Sequence, residues 1–111
     1  MSRREEERLR DIKDAIASIK DHLERAGNAD DPLLHDALLF QFVVIGEAVK
    51  NLAAETRGRA PEIPWEDVAG FRDLIAHEYF RIQIDRVLEI VEGELPTLEQ
   101  TIDRLLEQGV E

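Results

Sequence analysis

The sequence predicts an all-α fold, an up-and-down bundle of four to five helices, and three observations carry that expectation. Apolar residues recur at steps of three and four along most of the chain, which is the spacing of one helix face. No segment shows the strict alternation of a half-buried strand, and no internal repeat or low-complexity tract interrupts the pattern. Glycine and proline gather in a few short clusters that cut the chain into helix-length pieces. The 111 residues fit one domain, 1–111, and a chain of this size can bury roughly two-thirds of its unfolded surface. A hydrophobic share of 43% beside 35% charged residues suits a folded, helix-rich protein and argues against disorder.

The first helix is expected from about Arg4 to Arg25, where Leu9, Ile12, Ile16, Ile19 and Leu23 form a narrow apolar seam with charge on every other side. Gly27-Asn28 should end it, since both residues tolerate a left-handed cap. Asp30-Asp31-Pro32 opens the second helix with acidic caps and a proline whose missing N–H does no harm there. That helix should run to about Thr56. Leu34, Leu38, Phe42, Ile45, Val49 and Leu52 make one face, and Leu39, Phe40, Val43 and Val44 cover much of the rest. A helix apolar on so many sides is central in its bundle or buries a second face in a partner, and in so small a domain the second option predicts a homodimer.

Arg57-Gly58-Arg59-Ala60-Pro61-Glu62-Ile63-Pro64 reads as a loop. A third helix follows from Trp65 or Val68 to His77. The last helical region starts near Ile84, with Leu88, Val91, Leu95, Leu98, Ile102 and Leu105 in register. Pro96, preceded by Gly93, should kink that region or split it in two.

Charge and composition narrow the function classes. The net charge of −11 argues against a general nucleic-acid binder, DNA included, because affinity for a phosphate backbone comes from Lys and Arg. The acids are unevenly spread, however. Residues 57–86 hold five Arg against six acids, and the other residues hold nine basic against nineteen acidic side chains. An anion site therefore belongs in the middle segment. There is no cysteine, so thiolate chemistry is excluded. Met1-Ser2-Arg3-Arg4-Glu5-Glu6-Glu7 shows no apolar signal-type run, and the most apolar stretch, Ala37 to Val49, is short and contains Gln41 and Glu47. A cytoplasmic protein with no membrane partner is the expectation.

The chemistry-bearing segment is Phe71-Arg72-Asp73-Leu74-Ile75-Ala76-His77-Glu78-Tyr79-Phe80. Arg72 can hold a phosphate through two parallel hydrogen bonds. His77 has the side chain whose ordinary pKa, about 6.5, suits proton transfer near neutrality. Tyr79 brings a hydroxyl that donates or accepts. At roughly 100° per residue, Arg72, Ala76 and Tyr79 share one helix face, whereas His77 is turned roughly 140° from Arg72. The three converge only if the helix ends near His77 or a second subunit completes the site. Read by itself, the cluster also fits a helix-capping His77, an Arg72 paired to a carboxylate and a packing Tyr79.

Arg72-x4-His77-x-Tyr79 resembles the Arg-x4-His-x-Tyr motif of HepT-type toxins of the HEPN superfamily. Ile45-Gly46-Glu47-Ala48 on the second helix is similar to an Ile-Gly-Glu-Ala segment of that family. Pro61-Glu62-Ile63-Pro64-Trp65 looks like its loop before the third helix, and Glu94-Leu95-Pro96 like its kink in the last one. The likeness spans roughly residues 33–106. One departure is Asp73, where the family often carries Asn; an acid there can pair with Arg72 and weaken its grip on phosphate.

The resemblance implies the toxin of a type VII-like toxin–antitoxin pair: a metal-independent endoribonuclease, homodimeric, with its cleft between two copies of the third helix and no cofactor. His77 would take a proton from a ribose 2′-OH, Arg72 would stabilise charge on the phosphoryl oxygens, and Tyr79 would position RNA. Products would carry a 2′,3′-cyclic phosphate and a 5′-OH. The cognate antitoxin would be a minimal nucleotidyltransferase able to attach AMP to Tyr79, which would block the cleft. The alternative is a non-catalytic HEPN subunit that binds nucleotide or partners such a nucleotidyltransferase.

Other residues read more plainly. Glu47 either pairs with Arg72 or shapes the cleft, or it is a half-exposed glutamate at a helix edge. Gly46 should allow close helix approach. His22 and His35 lack ligand-spaced companions, so they are expected at the surface or an edge and no metal site is predicted. Trp65 should be a packing anchor, while Arg57 and Arg59 could guide RNA, contact the antitoxin or simply lie in a solvated loop.

Overall fold

A computed structural model describes residues 2–28 and 31–109. Asp30, one of the two acids expected to open the second helix, and Met1 lie outside the described residues. The first helix, α1, spans Arg3–Arg25, and the Ser2 hydroxyl accepts the Glu5 N–H at 3.1 Å as its N-cap. Its seam faces inward: Leu9, Ile12, Ile16 and Ile19 are completely buried. Each such side chain stabilises the fold by about 1.5–3 kcal/mol relative to leaving it in water.

The end of α1 differs from the expectation. Ala26 turns the chain in extended conformation while its N–H still reaches the His22 carbonyl at 3.0 Å, and no described residue has positive φ. The chain leaves the helix by extending, so the left-handed freedom of Gly27 and Asn28 is not used.

Helix α2, Pro32–Lys50, starts as expected, with the Asp31 carboxylate accepting the Leu33 N–H at 2.9 Å. It stops six residues short of Thr56. The Asn51 amide donates to the Glu47 carbonyl at 2.9 Å, and the Ala53 N–H leaves the helical ladder to bond Glu5 Oε1 at 2.8 Å. The Thr56 hydroxyl donates to the same oxygen, also at 2.8 Å. A carboxylate from the first turn of α1 thus holds the chain beyond the α2 cap, and a short helix, α3 (Ala54–Gly58), forms where the sequence suggested the tail of α2 and the start of a loop.

Helix α4 covers Trp65–Glu78 and passes into a 3-10 turn at Tyr79–Arg81. Trp65 is the expected anchor, buried, its indole N–H shared between the carbonyls of Arg57 at 3.1 Å and Ala60 at 2.9 Å. The last helical region is split as anticipated. Helix α5 spans Ile84–Gly93 and α6 spans Leu95–Gln108, with Pro96 in the first turn of α6, where its missing N–H costs nothing.

Helix α2 lies antiparallel between α1 and α4. Lys13–Asp103 (2.8 Å) and Lys20–Glu99 (2.6 Å) fix α6 antiparallel on α1, and α5 packs on α6 and α2. By length and composition α2 could cross a membrane, yet Leu34, Leu38, Leu39, Phe42, Ile45, Ala48 and Val49 on it are buried as the core of the bundle. Its outward face is different: Leu33 is 76% exposed and Phe40 is 62% exposed.

Candidate active site

The site begins at a helix crossing. A Cβ placed on Gly46 would lie 2.6 Å from Arg72 Cβ and 3.4 Å from both the Arg72 nitrogen and the Val68 carbonyl. No other residue fits there unless α4 moves, so Gly46 allows the close approach its place in α2 suggested. The same contact pins the base of Arg72 against α2. Phe42 and Phe71 meet edge-to-face one turn away, with ring centroids 5.4 Å apart, and hold the crossing together.

Arg72 is held by two acids. Its Nε lies 3.0 Å from Glu47 Oε2, and its Nη1 lies 3.0 Å from Asp73 Oδ1. The guanidinium keeps 37% of its side-chain surface open. Glu47 pairs with Arg72 and is also half exposed at its helix edge, so both readings of it hold. The anticipated contact between Asp73 and Arg72 is present as well.

His77 is not beside Arg72. Helix α4 continues through Glu78, so five residues of regular helix turn His77 roughly 140° away from the face that meets α2. His77 is exposed and has no hydrogen bond or ion pair among the described residues. Within one chain the two groups leave α4 on different sides.

Tyr79, in contrast, rejoins the Arg72 side of α4. Its hydroxyl donates to Asp36 Oδ1 on α2. That hydrogen bond, then partial burial and the carboxylate's charge, push the phenol above its usual range and keep it protonated. His35 stands edge-on to Tyr79 with ring centroids 6.3 Å apart, and its Nε2 lies 2.9 Å from the Ile82 carbonyl. Phe80, almost wholly exposed, packs edge-on against the other side of the same ring.

Asp36 is the residue that sequence reasoning missed; His35 is half-buried at the edge, as expected, but also touches Tyr79. A signal for Asp36 was available: Asp36, Phe40, Val43 and Glu47 step by four, three and four, which puts Asp36 on the stripe of α2 that carries Glu47. The outcome is a strip along the α2–α4 seam with Glu47–Arg72 near one end and Asp36–Tyr79 near the other. A separate groove of about 840 Å³ between α4 and the α5–α6 pair is lined by Phe71, Leu74 and Ile90 among others, and none of Arg72, His77 or Tyr79 reaches it. Among the described residues no group of three or more acids and histidines is placed to hold a metal ion.

Comparison with known proteins fits this geometry into a family. Residues 9–105 match the family described as Ribonuclease HepT-like. The chain belongs to the HepT-like ribonuclease family. A relative from Caldanaerobacter subterraneus subsp. tengcongensis, named as a candidate RNase, is 38% identical over 70% of this chain and 70% of its own. A protein of Thermococcus cleftensis named as a probable ribonuclease HepT is 30% identical over 95% of this chain and 98% of its own. A protein of Methanocaldococcus jannaschii named as a gamma-glutamylcyclotransferase and candidate RNase is 30% identical over 90% of this chain but only 46% of its own length. No solved structure matches. Membership supports ribonuclease activity for this HepT-like chain and agrees with its all-helical architecture.

Proposed function

We propose that the protein is the toxin of a type VII-like toxin–antitoxin pair, an endoribonuclease that cleaves RNA by internal transphosphorylation. The observation that carries this reading is Arg72 pinned at the Gly46 crossing with its guanidinium partly open, on the same helix as an unpaired, exposed His77 in a HepT-like chain. Arg72 meets the phosphate to be cut and offsets the charge that grows on its oxygens. His77 takes the 2′-OH proton, the 2′ oxygen attacks phosphorus, and the bond to the 5′ oxygen breaks. The products are a 2′,3′-cyclic phosphate and a 5′-OH end, and the sequence of steps uses neither metal nor cofactor.

Because Arg72 and His77 diverge on α4, the reading needs a second copy, whose His77 reaches the first copy's Arg72 across a shared cleft. The exposed Leu33 and Phe40 on the outward face of α2 support such a homodimer, since a lone chain leaves them in water. Tyr79 lies where RNA would pass, and attachment of AMP there by a cognate minimal nucleotidyltransferase would fill the strip and add negative charge. The setting is the cytoplasm.

Expression without a partner tests the reading. The wild-type chain should arrest growth and produce RNA fragments with cyclic phosphate ends, and His77→Ala should abolish both. Equal cleavage by the two chains would refute it. A non-catalytic, nucleotide-binding HEPN subunit is favoured by one observation, that Arg72 and Tyr79 are both already engaged by acids. Retention of nucleotide without RNA cleavage by pure wild-type protein would support that reading instead.

A further inference from the structure

Both groups that would meet RNA phosphate are already bonded to carboxylates of their own chain. A guanidinium offers two edges with parallel donors, one made by Nε with Nη2 and the other by Nη1 with Nη2. Glu47 occupies Nε and Asp73 occupies Nη1. Each two-donor edge therefore includes a nitrogen that faces an acid, so a phosphate approaching either edge meets a carboxylate's negative charge, while Nη1 keeps a second N–H. At the other end of the strip the Tyr79 hydroxyl gives its one proton to Asp36.

The acids differ in how firmly they are placed. Glu47, itself 51% exposed, belongs to α2 beside Gly46, where the base of Arg72 is pinned, so its ion pair draws the guanidinium across the crossing. Asp73 is the chain neighbour of Arg72 with 61% of its side chain exposed, and Asp36 has 58% exposed. Those two can swing into water when another anion arrives.

We propose that Asp73 and Asp36 compete with RNA phosphate for Arg72 and Tyr79, and so set the affinity of the site for its substrate, while Glu47 positions Arg72. This rests on the ribonuclease reading above. The two acids put negative charge beside the donors that a phosphate oxygen would use, and substrate binds in competition with them. Short or weakly bound RNA fails to displace both. An RNA held at several phosphates succeeds, because its other contacts keep it in place while the exchange occurs.

The test uses the full chain and a fluorescent RNA oligonucleotide long enough to be held at several phosphates. Binding is followed by anisotropy in the His77→Ala background, and steady-state cleavage with His77 present. Asp73→Asn and Asp36→Asn should each tighten binding by about three- to fivefold, the scale of one exposed ion pair or charge-assisted bond, and should raise kcat/KM through a lower KM. Glu47→Gln should lower kcat. Asp11→Asn, an exposed acid on α1 that changes net charge by the same amount, should do neither. Unchanged or weaker binding by Asp73→Asn, or equal tightening by Asp11→Asn, overturns the proposal. Wild-type protein that cleaves RNA under those outcomes leaves the ribonuclease reading standing, whereas no cleavage and no RNA binding by any variant removes both.

Discussion

At the scale of single residues, Tyr79 shows how one contact fixes the protonation state of a group. It is the only tyrosine in the chain, so its ionisation can be followed directly by ultraviolet absorbance. The bond to Asp36 favours the neutral phenol, so the folded protein should titrate above the ordinary value of about 10. The sign follows from linkage: stability from this bond is complete below the unfolded pKa and is lost as pH rises through the higher folded value. Asp36→Asn removes the charge, so the phenol transition should move back toward about 10. A transition that does not move with this substitution would assign the shift to burial.

The sequence conveyed residue identities at the site better than their relations. Arg72, Tyr79 and Glu47 were legible because the helical step places the first two on one side and a mid-helix glutamate stands out among apolar neighbours. Their acidic partners were less so. Asp73 could be read as a neighbour of Arg72, but Asp36 bonds a residue 43 positions away. Which stripe of α2 faces which stripe of α4 depends on the crossing angle, and no one-dimensional spacing contains that angle.

At the scale of elements, the crossing of α2 and α4 is governed by an absent side chain. Gly46→Ala improves helix propensity by about 1 kcal/mol, but its methyl would meet Arg72 Cβ and the α4 backbone. Overpacking of this kind typically costs about 1–3 kcal/mol. The variant should melt lower than wild type, and the separation of α4 should disturb Arg72 and reduce RNA cleavage more than it reduces stability. An unaltered melting temperature and activity would show that α4 yields freely. The helix boundaries follow the same lesson. Pro96 marks the α5–α6 break locally, because a proline cannot donate in mid-helix. Past the α2 C-cap at Asn51, Glu5, nearly fifty residues earlier, receives the Ala53 amide, and no local spacing announces that bond.

At the scale of the whole molecule, the bundle satisfies three faces of α2 and leaves the fourth in water. A single chain closes its core with α1, α4, α5 and α6, but Phe40 keeps 62% of its surface exposed. Burying an aromatic side chain is worth about 1.5–3 kcal/mol, so this face should decide the assembly state. Light scattering should give a dimer for the wild type and a monomer for Phe40→Glu, with cleavage lost alongside. A wild-type monomer that cleaves RNA would show that one chain suffices. So apolar a helix was expected to be central in its bundle or to bury a second face in a partner, and α2 does lie between α1 and α4. The composition did not foretell that an acidic strip would run beside the exposed face.

The carboxylate of Glu5 has a practical bearing on how the protein is trimmed. The stretch matched to the family runs from residue 9 to residue 105, and a fragment cut to it would look complete by that criterion. It would lack the group that receives the Ala53 amide and the Thr56 hydroxyl, and both would be stranded at the base of the helix carrying Gly46. Boundaries drawn by likeness alone would thus remove a keystone for the seam on which Arg72 rests, and a feeble enzyme obtained that way would reflect the cut rather than the chemistry.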